Sequence, residues 1–218
     1  MITTRNLFDL THTLAAPLLA KTEYPWEALD GIGALICRLG QRLGEDYTEA
    51  APQVWIHRSA RVEPTAKLTG PCIIGADTQV RHGAFIRGAA LIGDGCVVGN
   101  SVEVKNAILF DGVQVPHYNY VGDSILGYKS HMGAGSVTSN VKSDKSPVVI
   151  RGGGEVPTGR KKVGAMIGDL AEIGCNAVLN PGTVIGRKAV VYPLCCVRGT
   201  VPGGHILKNS GQTVKKEA

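Results

Sequence analysis

Ten apolar residues follow one another at intervals of six, without a slip, from Ile56 to Phe110. They are Ile56, Val62, Leu68, Ile74, Val80, Ile86, Ile92, Val98, Val104 and Phe110. The same step returns in Ile167, Ile173, Leu179, Ile185, Val191 and Val197. An α-helix repeats every ~3.6 residues and a strand every two, so neither produces a period of six. A solenoid does, when each coil is assembled from six-residue sides. Four residues after most anchors stands a small or compact side chain: Ala60, Ala66, Cys72, Thr78, Ala84, Ala90 and Cys96, then Ala171, Ala177, Thr183, Ala189 and Cys195. Many anchors are followed at once by glycine, as at Gly75, Gly93, Gly99, Gly122, Gly133, Gly168, Gly174 and Gly186. A large and a small residue can share a narrow interior, and glycine is expected to let the backbone turn the corner. Chance in a Val/Ile/Gly-rich chain does not produce two such runs. The fold class is therefore all-β, a parallel solenoid.

At 218 residues the chain holds one repeat domain and a modest appendage. Aromatic residues make up 5% and glycines number 29, which suits a thin interior of small and β-branched side chains. The net charge of +5 fits an anionic small molecule at least as well as nucleic acid, and no basic-aromatic cluster argues for the latter. Of six cysteines, Cys72, Cys96 and Cys195 fall in the small interior slot, where a thiol acts as a compact apolar group. No CxxC pair suggests zinc, no segment reaches the ~18 apolar residues of a membrane span, and the first twenty residues lack the pattern of a secretory signal. A cytoplasmic, reduced protein is expected.

Residues 1–50 differ from the rest. Ile32, Leu35, Ile36, Leu39 and Leu43 keep helical spacing, with Pro25 placed for a first turn; Leu7, Leu10, Leu14 and Leu18 hint at an earlier helix limited by Pro17. This N-terminal helical segment is expected to cap the open end of the solenoid, or else to contact a partner or substrate. The β-helix domain spans 54–207. Between Phe110 and Met132 the step alternates between five and six, through Val115, Val121 and Leu126. From 141 to 162 the repeat lapses in VKSDKSPVVIRGGGEVPTGRKK, an excursion read as an inserted hairpin. Excursions from a solenoid usually fall on one face and often build its binding site. Residues 208–218 are expected to form a flexible basic tail.

The reactive side chains concentrate in the irregular stretch PHYNYVGDSILGYKSHMGAGSVTSN, which holds His117, Tyr120, His131 and Asn140. Arg87 and Lys105 precede it, eighteen residues apart and each one residue after an anchor, so they should share one outward face. Together they could clamp a phosphate; singly, each is as ordinary as any solvated surface charge.

The motifs FIRG (85–88), VGNSVEVKNA (98–107), HYNYVGDS (117–124), MGAGSVTSN (132–140) and KKVGAMIGDLAEIGCNAVLNPGTVIG (161–186) resemble a known family. It is that of the acetyltransferase domain of bifunctional N-acetylglucosamine-1-phosphate uridyltransferase/glucosamine-1-phosphate acetyltransferases. The resemblance is closer to the archaeal bifunctional sugar-1-phosphate nucleotidyltransferases and covers about residues 55–205. It implies a left-handed parallel β-helix with three-sided coils, a homotrimer with sites between subunits, and acetyl transfer from acetyl-CoA to the amine of a hexosamine 1-phosphate. It gives His117 the role of general base and Arg87 and Lys105 that of phosphate holders. Tyr120 would contact phosphate or sugar, and Asn140 would position the amine or acetyl group. Ala134 and the chain near Cys175 would grip the acyl-CoA arm through backbone groups.

That chemistry is coherent. A sugar ammonium must lose a proton before attacking a thioester, and an imidazole titrating near ~6.5 accepts it at neutral pH. Backbone N–H groups of the GAGS turn could serve the oxyanion, and no metal is required. Three departures stand out. His131 replaces an asparagine that contacts the sugar, Val141 replaces a tyrosine, and Cys175 replaces a serine near the thioester. His131 fits either a second base or a polar ligand contact. Residues 1–50 are too short for a nucleotidyltransferase domain, so the product would pass to a separate nucleotidyltransferase. Competing readings are O-acetylation of a sugar or other small alcohol, and a non-catalytic sugar-phosphate-binding homologue. A metal-dependent hydratase on the same solenoid needs clustered histidines. The six here, His12, His57, His82, His117, His131 and His205, come no closer than fourteen residues.

Overall fold

The computed structural model describes residues 2–217. Short parallel strands stack with a step of one coil: Val54 pairs with Cys72, Cys72 with Ala90, and Ala90 with Ala107. The result is a left-handed parallel β-helix of about nine turns with three faces. The first face runs through 54–57, 72–74, 90–92, 107–109, 124–126, 165–167 and 183–185; the second through 61–62, 79–80, 97–100, 114–117, 131–132, 172–173 and 190–191; the third through 67–68, 85–86, 103–105, 120–122, 137–138, 178–179 and 196–197. Anchors from Ile74 onward point inward and are buried, beside the buried small slots Cys72, Thr78, Ala84, Ala90 and Cys96. Ile56, Val62 and Leu68 are only partly buried, because no coil precedes theirs.

The glycines after the anchors serve a purpose other than the expected one. None of those eight has a left-handed φ; the corners are turned by residues such as Asp77 (φ 55°), Gly95 (62°), Gly112 (71°) and Lys129 (51°). A Cβ on Gly99 would collide with the Pro116 carbonyl, and one on Gly174 with the Pro193 nitrogen. These glycines let successive coils approach closely enough to hydrogen-bond.

The register slip falls at one corner. Leu109 pairs with both Ile92 and Leu126, so Leu109 takes the anchor slot and not Phe110. Phe110 is also buried, its ring 5.1 Å from that of Phe8. The two five-residue steps, Val104 to Leu109 and Val121 to Leu126, both cross from the third face to the first. The preceding six-residue crossing uses two left-handed residues, Gly88 (89°) and Ala89 (47°); the shorter ones use one each, Asn106 (46°) and Asp123 (48°).

The N-terminal segment forms helices Thr4–Leu7, Leu10–His12 and Ala16–Leu19, then a 3-10 turn Pro25–Gly31 that runs into helix Ile32–Gly40. The expectation that the helices cap the open end is corrected: they cover the first face of the solenoid. The 32–40 helix packs on the first-face strands 72–74 and 90–92, and the 25–31 turn on the strand 120–126. The six first-face strands from 72–74 to 183–185 each carry an outward apolar residue (Ile73, Leu91, Ile108, Ile125, Met166, Val184), and all six are buried. The face is thus apolar on both sides, as parallel sheets covered by helices are. The open end is covered by residues 47–51, expected to be helical. They form a strand antiparallel to 54–57 and so occupy the exposed edge of the first coil.

The expectation of a flexible tail over 208–218 is corrected in part. A turn in which Gly211 donates to the Lys208 carbonyl (2.9 Å) returns the chain, and 213–215 pair antiparallel with 205–207. The excursion leaves after Asn140 and returns at Val163, closed by a bridge between Val141 and Lys162. It contains the hairpin 149–151/155–157, seated through buried Val148 and Ile150, and an Arg160–Asp30 ion pair ties it to the N-terminal layer. Among the described residues no helix is long and apolar enough to cross a membrane.

Ile108 lies outside the coil interior yet wholly buried. Ile108→Ala is therefore expected to cost about 2–5 kcal/mol in a urea unfolding curve, as a core truncation does. A cost within about 0.5 kcal/mol, typical of a surface site, would mean the helical layer does not cover this face in solution.

Candidate functional site

Two corners of the solenoid carry the reactive residues. At the crossing from third to first face, Asn106, Asp123 and Asn140 follow one another at seventeen-residue steps and so form a column. Asp123 is its hub and is 5% exposed. One carboxylate oxygen accepts from Asn106 Nδ2 (2.8 Å), the other from Asn140 Nδ2 (2.5 Å), and Lys105 Nζ lies 3.6 Å from the latter. Asn140 Nδ2 also donates to the Tyr120 hydroxyl at 3.2 Å. A carboxylate and an oxygen partner both require the nitrogen end of the amide, so Asn140 Oδ1 is the end left for a ligand.

Beside this column, on the third face, Arg87 and Lys105 are neighbours, because Val104 pairs with Ile86. The sequence reading thus placed them correctly relative to each other. However, each already holds a carboxylate: Arg87 Nη1 is 2.6 Å from Glu103 Oε1, and Lys105 faces Asp123. Glu103 stabilises the charged Arg87 guanidinium. Burial, then the nearby Asp123 and Glu103 carboxylates, push the Tyr120 phenol above its ordinary value, so it stays protonated at neutral pH.

The second corner, from second to third face, holds His117. It pairs with Asn100 below, and its carbonyl accepts from the Gly135 N–H (3.0 Å) above. Ala134 and Cys175 continue the line: Asn176 N–H donates to the Ala134 carbonyl (2.8 Å), and Leu194 N–H to that of Cys175 (2.9 Å). The His117 imidazole is exposed on a pinned backbone. The His117 backbone N–H donates to Asn119 Oδ1 (3.1 Å), and Asn119, 2% exposed, spends its own side-chain N–H groups on the Gly133 (2.8 Å) and Ser136 (3.1 Å) carbonyls. Tyr120, three residues on, connects this corner to the third-face cluster.

His131 does not join either group within one chain. It sits on the second face between Gln114 and Glu172, and its Nδ1 is 2.9 Å from Glu172 Oε2. Cys175 is exposed, whereas burial pushes the Cys72 and Cys96 thiols up to about 12, which leaves those two as inert packing.

The sequence reading missed Glu103, Asn106, Asn119, Asp123 and Glu172. A signal existed for three of them: Glu103 stands seventeen residues before Tyr120, and Asn106 and Asp123 keep the same step to Asn140. Asp123→Asn would turn an amide toward donors that need an acceptor. It is expected to cost about 1–3 kcal/mol of stability by chemical denaturation. No measurable loss would show that the column is not held by this carboxylate.

The profile of the GMPPB C-terminal domain matches residues 68–151. A bifunctional sugar-1-phosphate nucleotidylyltransferase/acetyltransferase of Sulfurisphaera tokodaii is 31% identical over 174 residues, 71% of this chain and 43% of that protein. The bifunctional protein GlmU of Methanococcus maripaludis is 29% identical over 178 residues, 80% of this chain and 43% of that protein. The chain thus spans less than half the length of these relatives. Homology relates it to GlmU-type bifunctional nucleotidyltransferase/acetyltransferases, archaeal ones included. Among solved structures, the acetyltransferase domain of PglB from Neisseria gonorrhoeae with acetyl coenzyme A matches at a TM-score of 0.32 and 19% identity, over 71% of this chain and 53% of that one, a likeness too loose to carry weight.

Proposed function

We propose that the chain is an acyltransferase that moves an acetyl group from acetyl-CoA to the amine of an amino-sugar 1-phosphate. The reading is supported by the sequence relationship to a protein named as a bifunctional sugar-1-phosphate nucleotidylyltransferase/acetyltransferase. The observation that carries it is the exposed His117 on a backbone fixed by Asn119 and Gly135, one short strand away from Tyr120 and Asn140.

His117 takes the proton from the attacking ammonium, and the neutral amine adds to the thioester carbonyl. Asn140, its nitrogen committed to Asp123, offers Oδ1 as an acceptor for the amine N–H and so aims the lone pair. The tetrahedral oxyanion collapses, the C–S bond breaks, and the CoA thiolate leaves and is protonated. Ala134 and the chain at Cys175 line the path of the acyl-CoA arm along the same corner. Arg87 and Lys105 hold the sugar phosphate by exchanging their carboxylate partners for it, and Tyr120 adds a neutral hydroxyl. Three copies in a ring would bring the second-face pair His131–Glu172 of one chain toward a neighbour's site, and His131 would there meet the sugar. The product's phosphate remains free for a nucleotidyltransferase.

One observation favours a second reading. Arg87 and Lys105 are already neutralised by Glu103 and Asp123. That suits an acceptor without phosphate, such as a sugar alcohol acetylated on oxygen.

The decisive assay measures thiol release from acetyl-CoA with glucosamine 1-phosphate, galactosamine 1-phosphate and the unphosphorylated sugars. Turnover is expected only with the phosphates, and His117→Ala should lower kcat by ~10²–10⁴-fold with the fold intact. Equal rates with unphosphorylated sugars would support the second reading; full activity without His117 would remove it as base. Arg87→Ala should raise the KM for the phosphorylated sugar with little change in kcat, since its contact is made equally in ground and transition states. An unchanged KM would exclude Arg87 from the phosphate.

A further inference from the structure

The excursion encloses a cleft that the acetyl-transfer reading leaves unused. It measures about 380 Å³ and lies between the 149–157 hairpin and the third-to-first corners at 180–182 and 198–200. Asn140 is two residues before Lys142, so the cleft opens in the same corner column as Asp123 and Asn140, on the C-terminal side. The charged residues in its wall are Lys142, Arg151 and Arg198; no carboxylate lines it. Arg198 is exposed and makes no ion pair among the described residues. Lys142 and Arg151 pair with Asp144 (3.4 Å) and Glu155 (2.9 Å), carboxylates more than half exposed that stand outside the wall, and Lys142 also donates to the Ser146 hydroxyl (2.5 Å). Exposed pairs of that kind are weak and readily exchanged for a stronger anion.

The walls are built, not incidental. Thr200 Oγ1 donates to the Arg151 carbonyl at 2.7 Å, which pins the hairpin to the coil. Val148 and Ile150 are fully buried beneath it, and a Cβ on Gly182 would strike the Val148 side chain. At the hairpin tip, a Cβ on Gly153 or Gly154 would meet nothing, so the backbone there is open to a ligand. No aromatic residue lines the cleft, so it offers a base nothing to stack on. It can recognise charge and compact shape only. Three cations around a volume larger than one phosphate needs fit two linked phosphates.

We propose that this cleft binds a pyrophosphate group carried by a nucleotide, with Arg198 as its principal contact. Two sources carry that group, the nucleotide end of a CoA ester and a nucleoside-diphosphate acceptor. The cleft reads the shared group and leaves the base outside. Because it concerns binding alone, the proposal stands or falls separately from the acetyl-transfer reading.

The test is calorimetric titration of the full chain with inorganic pyrophosphate at about 50 mM and 200 mM salt. Wild type should bind, more weakly at the higher salt. Arg198→Ala should weaken binding by about tenfold or more, the effect of one lost charge-assisted contact, with an unchanged melting temperature. Arg61→Ala, an exposed cation on the first coil, should leave binding as it is. No binding at millimolar pyrophosphate, or equal affinity in wild type and Arg198→Ala, overturns the proposal. Competition with coenzyme A and with UDP then separates the sources. Displacement by CoA alone assigns the cleft to the acyl donor, and by UDP alone to the acceptor. Displacement by both confirms recognition of the pyrophosphate itself; displacement by neither overturns its assignment to a nucleotide.

Discussion

The backbone of each coil hydrogen-bonds to the coils on either side, and every other feature depends on how closely they stack. The separation is fixed by the ladder itself, so a residue one or two positions past an inward anchor has no room for a Cβ where two corners meet. Glycine at Gly99 or Gly174 is a requirement of that approach, since a methyl group would overlap the neighbouring backbone. The same ladder converts sequence intervals into columns. A side chain repeated at one coil's length lands beside its predecessor in space. Asn106, Asp123 and Asn140 are far apart in the chain, yet they form one hydrogen-bonded cluster because they share a corner.

Shortening a crossing by one residue gives that column its place. In the six-residue crossing from Ile86 to Ile92, two left-handed residues carry the chain around; in the five-residue crossings at Asn106 and Asp123, one does. The tighter turn brings Asn106 and Asp123 to the apex, where their side chains meet along the edge. A buried carboxylate is costly unless its lone pairs are used. Asp123 meets that condition with two amide donors and the Lys105 ammonium, and the arrangement also fixes which end of Asn140 faces outward. Local geometry, burial and orientation of a functional amide are thus one constraint seen at three levels.

How legible this was in the sequence differs by residue. The solenoid was readable because a period of six has few physical origins, and Arg87 beside Lys105 followed from the same phase. The helical layer's location was not read, although its cause was present: Ile73, Leu91, Ile108 and Ile125 each precede or neighbour an anchor and are apolar where a solvated face would be polar. Attention to the inward position concealed the outward one. Asp123 and Glu103 were missed because they fall in the coils where the step changes from eighteen to seventeen, so a fixed period moves them out of line. The terminal strand 213–215 was unreadable for another reason: its pairing is antiparallel and depends on a turn at Gly211, with no repeat to announce it.

Charge is distributed along the third-to-first corner in a way that composition conceals. The net +5 is spread over the whole chain, but the corner divides into two zones. In the earlier coils each cation faces a carboxylate: Arg87 with Glu103, Lys105 with the buried Asp123. Beyond Asn140 the excursion interrupts the ladder, no acidic residue enters the wall, and Arg198 stands alone. The first zone binds an anion only by displacing an internal partner, which favours geometry and selectivity over strength. The second is already positive and attracts an anion at longer range, to the extent that salt allows. A ligand carrying phosphate at one end and a reacting group at the other would be drawn to the second zone and ordered by the first. The inserted hairpin thus walls off a cleft in which Arg198 of the repeat stands unpaired, next to a column in which every charge is satisfied.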